Sequence, residues 1–261
     1  MLPSLAARSI EENQWACFSR ACGDGFHEED DLTWYETGIP DPGFNGVFKA
    51  RLRSDALDRR IEETLEPFRR RKLPMCWWVG PASGPADLGE RLESHGLKLE
   101  DRPPGMAVEL DLLKKVEPPR ELRTERVRDR KALAEWSRIL ISAFGIPVES
   151  SGQLLELFDR VGYAPDSNMS HYVGILGDEV VSSSTLFLEG EVAGIYNVAT
   201  LPDARGRGIG AAMTLAPLQE ARERGRRIGV LQSSEMGYGV YRRLGFEQYC
   251  TIDLYVKASW E

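Results

Sequence analysis

The run Arg205–Gly206–Arg207–Gly208–Ile209–Gly210 constrains this chain more than any other six residues in it. Glycine at alternate positions opens backbone conformations closed to other residues, and the run leads straight into the helix-forming Ala211–Ala212–Met213. A glycine-rich turn at a helix N-terminus aims successive backbone N–H groups, and the positive end of the helix dipole, at an anion. The fold must therefore deliver a strand that ends near Thr200 and a helix that begins near Gly208 and runs to Arg224, where Gly225 stops it.

The residues upstream supply that strand. The segments 170–176, 179–189 and 192–200 are rich in β-branched and aromatic residues. Gly177–Asp178 and Glu189–Gly190–Glu191 separate them with turn chemistry, so three consecutive antiparallel strands are expected. Before them, Leu133, Trp136, Leu140 and Phe144 recur at helical spacing until Gly145–Ile146–Pro147, and Leu154 to Val161 form a second helix. After the loop helix, 228–233 reads as a buried strand and 237–244 as a short helix ended by Gly245. Residues 246–259 read as a final hairpin or long strand.

The earlier half repeats this order of elements with little identity. Residues 45–52 stand where 193–201 stand, Ile61 to Arg71 matches the loop helix, and 75–81 matches the buried strand. Residues 87–97 then match the short helix, with Gly96–Leu97 aligned on Gly245–Phe246. Residues 53–60 carry no glycine in place of the loop, and Leu92 stands where Tyr241 stands. The proline-broken, charged stretch 114–130 reads as a linker.

Composition narrows the classes further. A net charge of −8 over 261 residues argues against a nucleic-acid binder with an all-basic surface. The cysteines, Cys17, Cys22, Cys76 and Cys250, have no framework spacing and read as reduced thiols. Cys17, Cys22 and His27 lack a fourth zinc ligand, so no metal is expected. No apolar run is long enough for a signal peptide or a membrane span, and a cytoplasmic protein is expected.

Three phosphate devices compete for the loop. A Walker A loop needs Lys and Ser or Thr after its second glycine, and Gly210–Ala211–Ala212 does not provide them. Gly206, Gly208 and Ala211 fit the dinucleotide fingerprint, with Glu235 as its ribose-binding acid, but that fingerprint opens from a parallel βαβ unit rather than an antiparallel meander. The third device fits the whole setting. Residues 205–210 match the [RQ]xxGx[GA] loop, and 240–246 (VYRRLGF) resemble the LYxxxGF segment, of the GNAT superfamily of N-acetyltransferases. All of 129–258 follows the order of elements in that family.

The resemblance implies an α+β fold of two GNAT-like domains, each a mixed, mostly antiparallel sheet flanked by helices. The N-terminal copy, 1–112, is degenerate and lacks the coenzyme loop, 113–128 is the linker, and 129–261 is the catalytic domain. It implies acetyl-CoA as co-substrate, with its pyrophosphate on Arg205, Gly206, Arg207, Gly208, Ile209, Gly210 and Ala211. Val198, Ala199 and Thr200 would pair through their backbone with the pantetheine arm, as though with an extra strand. Tyr241 matches the position whose hydroxyl faces the coenzyme sulfur and is expected to be the general acid. Ser234 takes a place often held by a pantetheine-binding Asn, a departure that replaces an amide with a hydroxyl. The general base stays open among Glu189, Glu191, Glu235 and relayed water.

The expected activity is acetyl transfer to an amine of a small molecule or protein by direct attack. The acceptor would lie against the first two helices of the second half, near 142–150, with the first half walling the other side. A non-catalytic acyl-CoA sensor or interaction module and a dinucleotide-binding oxidoreductase are the alternatives. No nucleic-acid or membrane partner is expected. Two halves packed as a pseudo-dimer within one chain would be compatible with a monomer.

Overall fold

The computed structural model describes residues 2–260. Its elements run α1 (Pro3–Cys22), β1 (Phe26–Glu28), β2 (Thr33–Glu36), β3 (Asn45–Phe48), α2 (Leu57–Arg71), β4 (Met75–Val79), α3 (Leu88–Ser94), β5 (Lys98–Asp101) and β6 (Pro104–Glu109). They continue with β7 (Leu122–Arg126), α4 (Arg130–Phe144), α5 (Ser151–Asp159), β8 (Met169–Leu176), β9 (Glu179–Glu189), β10 (Val192–Thr200), α6 (Ile209–Glu223), β11 (Ile228–Gln232), α7 (Glu235–Leu244), β12 (Glu247–Thr251) and β13 (Asp253–Lys257).

The chain divides into two compact units, and neither follows the boundaries expected at 112 and 128. One unit joins residues up to Ala21 to Pro104–Tyr249; the other joins Cys22–Pro103 to the chain from Cys250 onward. The reason is strand pairing. β6 lies antiparallel beside β11, from Gly105↔Gln232 to Glu109↔Ile228, so 104–109 belong to the sheet of the later half. β13 pairs with β4 and β5 in the other sheet, so 246–259 do not form a hairpin. Each central strand has two rows of backbone N–H and C=O groups to satisfy, and these strands satisfy them. Part of the expected linker is also a strand: β7 pairs with β8 from Leu122↔Leu176 to Arg126↔Tyr172. Its charges are tolerated because an edge strand leaves every second side chain in solvent.

The unit holding the glycine loop is a seven-stranded sheet in the order β12-β6-β11-β10-β9-β8-β7. One face packs on α6 and α7: Leu186, Leu188, Ala193 and Ile195 meet Ile209, Met213, Leu218 and Leu244 in a single core. The other face carries α4 and α5, whose Trp136 and Phe158 rings enclose His171 of β8 at centroid distances of 4.3 and 5.2 Å. α4 starts where the Asp129 side chain accepts the Ala132 N–H and stops at Gly145, φ +70.

The other unit is a six-stranded sheet, β1-β2-β3-β4-β13-β5, over a core of Ile61, Leu65, Phe68 and Trp77. Its antiparallel strands lead through α2 to a strand parallel to the one left behind, β3 beside β4, as β10 leads through α6 to β11. The parallel extends to the backbone. Lys49 and Asn197, in equivalent positions of the two halves, are both left-handed, at φ +57 and +54. Among the described residues, no helix is long and apolar enough to cross a membrane.

Candidate active site

The glycine loop folds as its composition demands. Pro202–Ala204 make one tight turn, then Gly206 and Gly208 take φ of +75 and +80, conformations that exclude most side chains. Gly208 is the N-cap of α6 and offers no capping side chain. The first bond of the helix runs from the Ala212 N–H to the Gly208 carbonyl at 3.2 Å, so the N–H groups of Ile209, Gly210 and Ala211 precede the helical ladder. A Cβ built on Gly206, Gly208 or Gly210 meets nothing within 4 Å, so the space above these amides is open.

The strand before the loop is open along one side. β10 pairs with β11 only from Val192 to Gly194, and the two strands part from Ile195 onward. On its other side, β10 meets β9 through a register shift between Tyr196 and Ala199. Serine hydroxyls take up the carbonyls this shift displaces: Ser183 Oγ donates to Asn197 O at 3.0 Å, and Ser182 Oγ donates to Ala199 O. Arg205 Nε donates to Thr200 O at 3.0 Å and ties the loop to the strand end. Buried Ser182 and Ser183 thus have a task that their sequence, polar within a strand, did not disclose.

Across the opening stands α7. Ser234 is its N-cap, with Oγ accepting the Gly237 N–H at 3.2 Å, which leaves the hydroxyl proton free for a ligand. Tyr241 folds its ring back onto that first turn, where a Cβ on Gly237 would lie 2.8 Å from Tyr241 Cε2. The ring is also edge-on to Phe246 at 6.0 Å. Burial pushes the Tyr241 phenol up to about 12, against the opposing pull of a hydrogen bond with Thr214. It is therefore a proton donor throughout the neutral range.

These parts line one cavity of ≈ 570 Å³. Val198, Ala199, Thr200, Arg205, Gly206, Gly208, Ile209, Gly210, Ala211, Ser234 and Tyr241 all contribute. Arg207 is not among the lining residues; its guanidinium sits 3.5 Å from the Glu121 carboxylate. Phe144, within the expected 142–150 segment, adds a wall, and Met236, Val240 and Arg243 add others that sequence reasoning missed. Phe144 had been placed on the buried face of its helix, yet it is 55% exposed, and Met236 is 69% exposed. Charge at the cavity comes from Arg205 and Arg243; no Asp, Glu or His is among its lining residues. Glu189 and Glu191 lie at the far end of β10, where Glu191 meets Arg227 at 3.7 Å, and Glu235 flanks the cavity without lining it. No group of three His, Cys, Asp or Glu side chains among the described residues is placed to hold a metal ion.

Comparison with known proteins gives the following. Residues 126–249 match the family model described as an acetyltransferase (GNAT) domain. A mycothiol acetyltransferase of Rhodococcus jostii (strain RHA1) is 40% identical over 73 residues, 27% of this chain and 24% of that protein. The chain spans less than half the length of the curated relatives it matches. Among solved structures, a GCN5-related N-acetyltransferase from Kribbella flavida superposes with a TM-score of 0.73 at 19% identity, over 97% of this chain and 95% of that one. A tandem GNAT protein from the clavulanic acid biosynthesis pathway does so with a TM-score of 0.58 at 15% identity, over 88% and 79%. At these identities the structural likeness is one of fold.

Proposed function

With a GNAT acetyltransferase domain in residues 126–249, we propose that this chain is an acetyl-CoA-dependent N-acetyltransferase. One observation carries the reading: the glycine loop, the unpaired edge of β10 and the Tyr241 side chain line a single cavity. The pyrophosphate rests on the amides of Gly206–Ala211, where fixed N–H dipoles and the α6 terminus replace its hydration. The pantetheine arm pairs with β10 between Thr200 and Val198. A β10 amide polarises the thioester carbonyl as negative charge develops on its oxygen. The neutral amine attacks the carbonyl carbon and the C–S bond breaks. Tyr241 passes its proton to the leaving sulfur, while the proton shed by the attacking nitrogen leaves through water.

The other unit serves as scaffold without a coenzyme of its own. Where α6 has glycines, α2 begins after Arg53–Ser54–Asp55, with Arg53 bound to Asp55 at 2.7 Å and Asp58 in the first helical turn. Carboxylates at a helix N-terminus occupy the place an anionic ligand would need. One acetyl-CoA per chain follows.

Titration calorimetry with acetyl-CoA and NADH, followed by an amine panel assayed for release of free CoA thiol, tests the reading. The relatives' name puts amines related to mycothiol on that panel. Binding of acetyl-CoA together with amine-dependent thiol release is expected. Binding of NADH without acetyl-CoA would overturn it. Coenzyme binding with no transfer to any amine would favour a sensor, a reading that the lack of acid or imidazole among the lining residues also accommodates.

A further inference from the structure

The point where β10 and β11 part is closed by a segment outside the matched domain. Their pairing ends at Gly194↔Val230. Ala193 and Ile195 face the α6 core, so Gly194 and Tyr196 face the opposite side of the sheet. There α1 meets them. A Cβ on Gly194 would fall 1.9 Å from Asn13 Oδ1, 2.5 Å from Tyr196 Cε2 and 2.6 Å from the Tyr196 hydroxyl oxygen. The Tyr196 ring is therefore folded back over bare backbone. Its hydroxyl donates to Asn13 Oδ1 at 2.7 Å, and the residue as a whole is half-buried. Asn13 itself is 2% exposed, and its Nδ2 has no protein partner. Gln232 Nε2 donates to the Ile10 carbonyl at 3.5 Å and tethers α1 to the end of β11.

The cavity wall on β10 ends at Val198, and the Tyr196 ring and Asn13 lie past it, toward the point where β10 rejoins β11. An arm that enters beside Thr200 and follows the free edge of β10 has the length of Ile195–Thr200, roughly 16–20 Å, before it meets the Tyr196 ring. Whatever is esterified at the tip of the arm lies nearest that ring. The Tyr196 ring and the buried Asn13 side chain fill the sheet face there, and a longer chain would have to displace them.

We propose that Asn13 and Tyr196 set the length of the acyl group this site accepts, α1 acting as a stop that admits acetyl and refuses longer chains. The inference rests on the acetyl-CoA reading above. Neither residue takes part in the chemistry; Tyr196 is a specificity-determining residue, and Asn13 positions it.

The test needs no knowledge of the acceptor. Affinities of the full chain for CoA, acetyl-CoA, butyryl-CoA and hexanoyl-CoA are measured by calorimetry, for wild type and for Tyr196→Ala, Asn13→Ala and Tyr196→Phe. Wild type is expected to bind hexanoyl-CoA at least about tenfold more weakly than acetyl-CoA, the scale at which a pocket discriminates extra methylenes. In Tyr196→Ala and Asn13→Ala that gap closes to about threefold or less, through tighter hexanoyl-CoA binding, with CoA affinity held within about twofold. Tyr196→Phe, which keeps the ring but frees it from Asn13, falls between. A merely destabilised protein would lose affinity for every ligand, so a gain for the longest is a signature of the opened stop. Wild-type affinity independent of chain length, or variants that leave the ratio unchanged, overturns the proposal while the coenzyme reading stands. Failure of CoA itself to bind overturns both.

Discussion

Gly210 separates two properties that most binding-site substitutions confound. Its φ is not positive, and a Cβ there meets nothing within 4 Å, so Gly210→Ala adds a methyl group without strain or clash. In the unbound protein the change removes backbone freedom from the unfolded chain and improves helix propensity, together about 0.5 kcal/mol of stabilisation. For a chain of this size that corresponds to a Tm raised by about 1–2 °C. In a helix the Cβ tilts toward the N-terminus, so the methyl projects into the cradle over the free amides of Ile209–Ala211. A pyrophosphate lifted from one of those N–H groups loses a charge-assisted hydrogen bond worth about 1.5–3 kcal/mol. Acetyl-CoA affinity should then fall about 10- to 150-fold.

Gly208→Ala is the contrasting variant. It has the same open space but a φ of +80, so the unbound protein is destabilised by about 1–2 kcal/mol before any ligand is considered. Differential scanning fluorimetry without ligand and calorimetry with acetyl-CoA read the two effects separately. If Gly210→Ala raised the Tm and left acetyl-CoA affinity within twofold, no anion would be resting on these amides. A lowered Tm would refute the account of the loop itself.

Four further outcomes follow from the structure. Tyr241→Phe should keep CoA affinity within about threefold and lower the transfer rate about 10²-fold or more, and an unchanged rate would remove the phenol from the reaction. Because burial holds Tyr241 protonated up to about 12, the wild-type rate should show no falling limb from this group between pH 7 and 10. Burial between Trp136 and Phe158 pushes His171 down to about 3, whereas the unfolded chain binds a proton near 6.5. The unfolded state therefore holds more protons below 6.5, and this group removes about 1.4 kcal/mol of stability per pH unit as pH falls from 6.5 toward 3. Urea unfolding at pH 7, 6 and 5 should show a shallower pH slope for His171→Gln than for wild type; parallel slopes would refute it. Ser183→Ala strips the donor from Asn197 O and should cost about 1–3 kcal/mol, read as a lowered urea midpoint.

What the sequence disclosed and what it withheld divide along physical lines. The strands 169–200, the loop and its helix were legible because periodicity and turn chemistry are local. The destinations of β6 and β13 were not, since alternation reveals which side chains share a face and says nothing about which strand lies alongside. β7 was read as linker because Arg123 and Glu125 are the solvent-facing charges of an edge, while Arg126, on its other face, pairs with Glu220. α1 hid its role for a related reason. Asn13, which accepts from Tyr196, and Gln14 are buried polar residues, so the buried face of α1 does not read as a continuous apolar stripe. Of the candidate site, the loop and Tyr241 came from motifs and Phe144 from the segment 142–150 between the first two helices; Met236 carried no motif and emerged only with the chain folded.

The left-handed residue in each half separates what belongs to the crossover from what belongs to the glycine loop. A non-glycine residue at positive φ costs about 1–2 kcal/mol, so its presence in both halves calls for a shared cause. Lys49 takes it in the half that has no glycine loop, just after β3 and before the crossover through α2 to β4. Asn197 takes it in the half that has the loop, before the crossover through α6 to β11. The kink therefore belongs to the strand–helix–strand crossover and does not depend on the glycine loop. What distinguishes the two halves is the helix start that follows: open backbone at Gly206, Gly208 and Gly210 in one, Asp55 and Asp58 in the other. The site's identity thus rests on the loop acting with the kinked strand, and a kinked strand found alone in such a fold is evidence of scaffold, not of a binding site.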